Sequence, residues 1–234
     1  MSTDFKYQPP TNTCGTKDDV ISLFGQPNIE RKLTSFSAKK KLLGDPTSSE
    51  FKSQIKKITL PGFGPKKNQT KTLRMHSKLH KLLTSAFTNI KELVSDYELY
   101  LGCTYGTYFR YSKNSTTRNA IKNNSDYDSI RPNGDWPDWA HDCAEYDRKK
   151  NRLDGTIPYN GRQLVRRELL SNHSFGTAID INAVTNPYPS RSRRATTSFD
   201  MRKMIIGIME EHGFYWGGYY HDYMHFEYML DKII

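Results

Sequence analysis

The most constraining feature of the chain is the stretch Ser171–Asn182, in which His173 and Asp180 stand seven residues apart among small residues. A second polar segment, Asp222–Glu227, places His225 close to the C-terminal end of the sequence. Two imidazoles and one carboxylate are a common ligand set for a catalytic zinc ion, which keeps its fourth position open for water. These residues therefore predict a metal site that is built from two distant segments of the chain.

Length and composition are those of a folded domain with a polar surface. The 234 residues fit one domain, or one domain with a large insertion, and 15 Tyr and 11 Phe supply core material although only 35% of residues are hydrophobic. No apolar run approaches the ~18 residues of a membrane span, and no secretory signal is visible, so we expect synthesis in the cytoplasm. The cysteines are widely spaced, which favours free thiols in a reducing compartment: Cys14, Cys103 and Cys143.

The formal net charge of +10 is concentrated in one segment. Residues 30–92 contain 15 Lys plus Arg against four Asp plus Glu. Such a basic face indicates a polyanionic partner, either nucleic acid or an anionic bacterial cell wall, or else a solvated surface without a dedicated ligand. No recognised nucleic-acid motif accompanies the segment, so we do not expect nucleic acid to be the partner.

Three elements are predicted in the first half of the chain. Thr16–Asp19 has the pattern of a capping box and predicts a short helix that ends at Gly25. Ile58–Leu60 predicts a short strand, followed by a basic loop over 61–71. The apolar residues of 73–94 recur with the period of a helix. His76 and His80 would lie four apart on that helix, but their surroundings do not favour a metal role.

The second half is predicted to be a long insertion followed by short strands and one helix. Residues 112–160 show no clear period, and a loop of this length inside a domain is usually functional or mobile. Alternation over 178–182 predicts a strand with Asp180 on its polar face. Thr197–Asp200 is predicted to cap a helix with the apolar face Met201, Met204, Ile205, Ile208 and Met209. Gly217-Gly218 is predicted to form the two-residue turn of a hairpin.

His173-x-x-Gly-x-Ala-x-Asp180, followed by Trp216-Gly-Gly and Asp222-x-x-His225, resembles the LAS metallopeptidases. This group is named for lysostaphin, D-alanyl-D-alanine peptidases and hedgehog domains. The chain looks most similar to its D-alanyl-D-alanine carboxypeptidase and L-alanyl-D-glutamate endopeptidase branch. The resemblance implies an α+β fold in which a small antiparallel sheet carries the zinc site and is flanked by helices. With the charge distribution, we expect a basic N-terminal extension over 1–72 that packs on the catalytic domain, and a zinc peptidase domain over 73–234 with an insertion at about 112–160.

The resemblance also implies roles for individual residues near the metal. It implies that His173, Asp180 and His225 bind Zn²⁺. It places Asp222 in the position of the general base, which takes a proton from water during attack on an amide and returns it to the departing amine.

Further roles are implied outside the ligand set. Arg110 would stabilise the substrate carbonyl or the developing oxyanion. Arg162 is its rival, because it lies closer in sequence to the zinc motif. Ser171 and Trp216 would contact the substrate. Glu227 would orient a ligand from outside the coordination sphere, although a purely structural role is equally consistent with its position.

We therefore expect a hydrolase: a zinc peptidase that cuts the L-alanyl–D-glutamate bond of peptidoglycan stem peptides. In cell-wall degradation it would act as a monomeric phage endolysin that contacts the anionic wall through residues 30–92. One alternative is a D-alanyl-D-alanine carboxypeptidase or dipeptidase. Another is a hedgehog-like, zinc-containing binding domain without catalysis. Asp222 argues against the last, since a structural zinc needs no general base.

Overall fold

The computed structural model describes residues 12–34, 36–46, 48–63, 67–94, 96–98 and 172–233. Within them, helices flank small antiparallel sheets, which confirms the predicted α+β class. The described residues fall into two units, one with 12–34, 54–98 and 176–233 and the other with 36–53 and 172–175. The predicted insertion at about 112–160 lies outside the described residues. None of the described helices has both the length and the apolar character needed to cross a bilayer.

A three-stranded antiparallel sheet forms the centre of the larger unit. Its strands are β4 (Ala178–Asp180), β6 (Phe214–Trp216) and β7 (His225–Tyr228), in the order β4-β7-β6. All ten of their residues are buried. Both faces of β4 are therefore buried: the predicted polar face, which carries Asp180, is as buried as the apolar face. A buried polar face needs partners for its charged groups, so this sheet is the place to look for a site.

Within this unit, the N-terminal residues form a strand and a helix. β1 (Asn12–Thr13) pairs with β5 (Ser198–Phe199) in an antiparallel register. Helix α1 (Lys17–Phe24) begins with the predicted capping box, in which the Thr16 side chain accepts from the Asp19 amide and the Asp19 carboxylate accepts from the Thr16 amide. Gly25 ends the helix, as predicted.

The predicted helix over 73–94 is wrong at its start. β2 (Ile55–Pro61) pairs along its whole length with β3 (Thr70–His76), and a single 3-10 turn then leads into α4 (His80–Leu93). Hydrogen bonds to β2 decide the conformation of residues 73–76. The hydrophobic period of a segment carries no information about such a partner strand. His76 and His80 therefore do not share a helix. The predicted domain boundary after residue 72 falls inside β3.

The last helix, α5 (Lys203–Glu211), begins later than predicted, and Thr197–Asp200 does not cap it. Ser198 and Phe199 form β5, while the Asp200 carboxylate accepts from the Tyr97 hydroxyl at 2.9 Å and from the Asn186 side-chain amide at 2.8 Å.

Met204 is 53% exposed and so lies off the apolar face of α5 on which it was predicted. Ile206 is buried in addition to the predicted Ile205, Ile208 and Met209.

The described residues of the smaller unit form two helices that were not predicted from this basic part of the sequence. They are α2 (Phe36–Leu43) and α3 (Ser49–Gln54), of which the last residue belongs to the larger unit. Ser48 accepts from the Phe51 amide and so caps α3. The Phe51 ring meets the Phe175 ring edge to face, at 6.0 Å between centroids. α3 contains a single apolar residue, Phe51, and the three lysines 39–41 interrupt α2, so neither helix showed a clear amphipathic period.

We expect Gly176→Ala to destabilise the fold. Gly176 has a φ of +63°, and an added Cβ would lie 2.8 Å from both the His76 amide nitrogen and Ile55 Cδ1. The left-handed conformation costs a side chain about 1–2 kcal/mol, and overpacking about 1–3 kcal/mol. Urea unfolding should show a loss of about 2–4 kcal/mol. Gly207→Ala is the matched control, because its Cβ meets nothing within 4 Å in α5; it should gain roughly 0.5–1 kcal/mol. Equal effects of the two substitutions would contradict this account.

Candidate metal centre

The pairing of β4 with β7 places two predicted ligands opposite each other. Asp180 and His225 are register partners, and directly opposed residues of antiparallel strands present their side chains on the same face. His225 Nδ1 lies 3.0 Å from Asp180 Oδ1, and both residues are buried. Residues 45 apart in sequence are thus held in contact by the sheet hydrogen bonds.

The third predicted ligand, His173, lies in the one-turn 3-10 segment Asn172–Phe175 and is also buried. One ligand atom from each of His173, Asp180 and His225 lies within 4.8 Å of the others. Two imidazole nitrogens and one carboxylate oxygen are donors that suit a divalent zinc ion. The group can therefore hold a metal, as its residue types predicted.

The surroundings of His225 favour positive charge at this point of the fold. His225 Nε2 lies 3.2 Å from Glu227 Oε2, while Nδ1 faces Asp180. Burial lowers the pKa of His225, but the hydrogen bonds to Asp180 and Glu227 and the charges of Glu227 and Asp222 outweigh it and raise the pKa to about 9. A cation bound at Nδ1 would meet the same carboxylates, so the electrostatics agree with the donor set.

Asp222 belongs to the connection between β6 and β7 and is 2% exposed. Its amide donates to the Gly217 carbonyl at 2.9 Å, and its carbonyl accepts from the His225 amide at 3.1 Å. Burial is the main cause that raises the pKa of Tyr220, and the negative charges of Glu227 and Asp222 raise it further. The Asp222 backbone is therefore fixed one turn before His225, while the predicted role of its carboxylate as the general base stays a prediction.

The connection that carries Asp222 is not the predicted two-residue hairpin turn. It spans 217–224 and starts with a 3-10 turn, Gly217–Tyr220. A Cβ on Gly217 would lie 2.7 Å from the Asp222 carbonyl oxygen and 2.9 Å from His225 Cβ. A Cβ on Gly218 would lie 2.2 Å from the Trp216 ring. Both positions thus require glycine because neighbouring atoms leave no room for a Cβ, and not because the chain forms a two-residue turn there.

Trp216, predicted to contact the substrate, is fully buried. Its Nε1–H donates to the Tyr223 carbonyl at 2.8 Å, and its ring meets that of Phe24 at 4.8 Å. Tyr223 in turn stacks on Phe199 at 3.8 Å between centroids. This packing gives Trp216 a structural part in holding the 217–224 connection, and its predicted substrate contact stays a prediction.

The Glu227 carboxylate contacts His225 through Oε2, which lies 3.2 Å from Nε2, and its predicted role in orienting a metal ligand stays a prediction. Its other carboxylate oxygen, Oε1, accepts from Arg31 Nη2 at 2.8 Å. The Arg31 guanidinium lies over the rings of Tyr215 and Tyr220, at 5.2 and 5.1 Å from their centroids. Arg31 and Tyr220 were not among the site residues predicted from the sequence. Arg31 lies in no motif, whereas the position of Tyr220 two residues before Asp222 was an available signal.

The remaining predicted residues cannot be placed. Ser171, Arg110 and Arg162 all lie outside the described residues. The substrate contact of Ser171 therefore stays a prediction. The same holds for the choice between Arg110 and Arg162 as the arginine that faces the carbonyl.

One comparison with known proteins bears on the site. Residues 165–228 match the model of a family described as D-alanyl-D-alanine carboxypeptidase. The matched residues include His173, Asp180, Asp222 and His225 but amount to well under half of the chain. No curated protein and no solved structure matches the chain at a significant level. The match supports a metallopeptidase, in agreement with the grouped ligands.

Proposed function

We propose that this chain is a zinc-dependent peptidase that hydrolyses an amide bond in peptidoglycan stem peptides. The observation that carries the proposal is the grouping of three buried metal-binding side chains within the stretch that matches a peptidase family. Asp222, one turn before His225, adds the carboxylate that amide hydrolysis needs as a base. A binding domain with a structural metal would have no use for that carboxylate.

The chemistry divides between the metal and the side chains of the chain. A zinc ion supplies Lewis acidity, which makes water nucleophilic near neutral pH and polarises an amide carbonyl. His173, Asp180 and His225 would hold the ion. Asp222 takes the proton as the water oxygen attacks the carbonyl carbon, and passes it to the amine nitrogen when the carbon–nitrogen bond breaks.

Two bonds in the stem peptide are candidates for cleavage. The motif context favours the L-alanyl–D-glutamate bond and hence an endopeptidase. The description of the matched family favours the terminal D-alanyl–D-alanine bond and hence a carboxypeptidase. The two reactions release different products, so fragment analysis separates them.

Purified peptidoglycan incubated with the zinc-loaded protein tests the function, with mass spectrometry of the released material. Endopeptidase cleavage should release peptides that begin with D-glutamate and leave L-alanine on the muramic acid. Carboxypeptidase cleavage should release free D-alanine. The same digest without metal, after treatment with a chelator, is the control. Zinc-loaded protein that releases neither product from walls or from soluble stem peptides would contradict the proposal.

We also propose that the anionic cell wall is the partner of the basic segment 30–92. In support, Lys57 and Arg74 are register partners on the exposed face of the β2–β3 hairpin, beside the hydrogen-bonded pair Thr59 and Thr72. Binding to walls should weaken as salt rises, because exposed charges are screened.

Synthesis in the cytoplasm, a monomeric state and a phage endolysin role remain predictions from the sequence.

A further inference from the structure

Arg31 is held beside strand β7 by the backbone of its neighbours. The Lys32 and Leu33 amides both donate to the Met229 carbonyl, at 3.0 and 2.8 Å, and Met229 directly follows β7. Upstream, the Asn28 amide donates to the Glu210 carboxylate at 2.9 Å. The segment around Arg31 is thus fixed on both sides, so the position of its side chain is set by the fold.

The side chain of Arg31 is 41% exposed, yet its guanidinium contacts three other side chains. It forms an ion pair with Glu227 at 2.8 Å and lies over two aromatic faces, those of Tyr215 and Tyr220. Most exposed ion pairs hold a long side chain loosely and contribute little. Here the stacking on two rings removes much of that freedom before the pair forms.

Glu227 connects Arg31 to His225, the proposed metal ligand. Its side chain is only 6% exposed, with Oε1 on Arg31 and Oε2 at 3.2 Å from His225 Nε2. The other ring nitrogen of His225, Nδ1, lies 3.0 Å from Asp180 Oδ1, on the side where the three grouped residues would hold a metal. A carboxylate on the distal nitrogen fixes the rotation of an imidazole and makes it a better donor. A carboxylate that an arginine holds in place is itself less free to rotate, so it fixes the imidazole more firmly.

We propose that Arg31 is a positioning residue for the metal centre, acting through Glu227 to fix the orientation of His225. The proposal rests on the proposed function, since it takes His225 to be a metal ligand. The chain of contacts runs from the Tyr215 and Tyr220 rings through Arg31 and Glu227 to His225. Arg31 belongs to the N-terminal part of the chain, outside the stretch that matches the peptidase family.

The test measures zinc affinity of the full chain by competition with a chromogenic chelator. Arg31→Gln should weaken zinc binding roughly tenfold, at the lower end of what losing an outer contact costs a metal site. It should also shift the visible absorption bands of the cobalt(II)-substituted protein, because the His225 ring would turn relative to the metal. Lys32→Gln is the matched control: this neighbouring cation is 48% exposed and lies 3.7 Å from Glu30. It should change neither quantity.

A double-mutant cycle separates positioning from general loosening of the structure. In a Glu227→Gln background, Arg31→Gln should have no further effect on zinc affinity if it acts through Glu227. Additive losses, or an Arg31→Gln protein with wild-type affinity and spectrum, would overturn the inference while leaving the proposed function intact. A folded wild-type protein that binds no zinc would instead refute the proposed function. If Arg31→Gln fails to fold, Arg31→Lys takes its place, with a loss of affinity expected in the same direction because the planar fork is gone.

Discussion

Replacing His225 by alanine should abolish both zinc binding and peptidase activity. A zinc site contributes about 10–16 kcal/mol in binding free energy, and each of three protein ligands carries several kcal/mol of it. Since about 1.4 kcal/mol is a factor of ten, zinc affinity should fall by more than ~100-fold. Chelator competition gives the affinity, and release of fragments from peptidoglycan gives the activity.

Two companion variants make the His225 result interpretable. Asp180→Asn nearly preserves the shape of the side chain while replacing a carboxylate by a poorer ligand, so it should lose zinc with less damage to folding. His80→Ala removes an imidazole from α4, where its ring contacts the Met75 carbonyl at 3.3 Å, and should retain zinc. Full zinc content in both His225→Ala and Asp180→Asn would show that the metal lies elsewhere or is absent.

Replacing Asp222 by asparagine should separate metal binding from catalysis. The amide keeps the size of the side chain but cannot accept the proton from water. General acid–base catalysis contributes about 10²–10⁴ in rate, so kcat should fall by roughly that factor. Zinc affinity and KM should stay close to wild type, because Asp222 is not one of the three grouped ligands.

Asp231→Asn supplies the control for this prediction, since it makes the same chemical change at an exposed position. Steady-state rates on a soluble stem peptide, with the zinc content of each preparation, provide the comparison. If Asp222→Asn keeps full activity while holding one zinc ion, another group serves as the base. If instead it loses zinc together with activity, Asp222 is part of the metal site itself.

Local signals in the sequence predicted several parts of the fold correctly. The capping box of α1 was predicted because all its partners lie within four residues of one another. The start of α4 and the absence of a cap before α5 were not predictable in this way. There, residues 73–76 and 198–199 pair with strands that are distant in the sequence. Propensity is a weak prior, which such long-range hydrogen bonds override.

The chemistry available to the site was readable from the residue types: two imidazoles and a carboxylate at a spacing similar to that of zinc peptidases, with Asp222 three residues before His225. The side chains that surround this set became apparent only in the folded chain. The β4–β7 register joins Asp180 to His225, and close approach of the chain explains Gly217. Arg31 joins the site across almost 200 residues through Glu227. Such contacts depend on strand register and packing, which link residues that no local pattern relates.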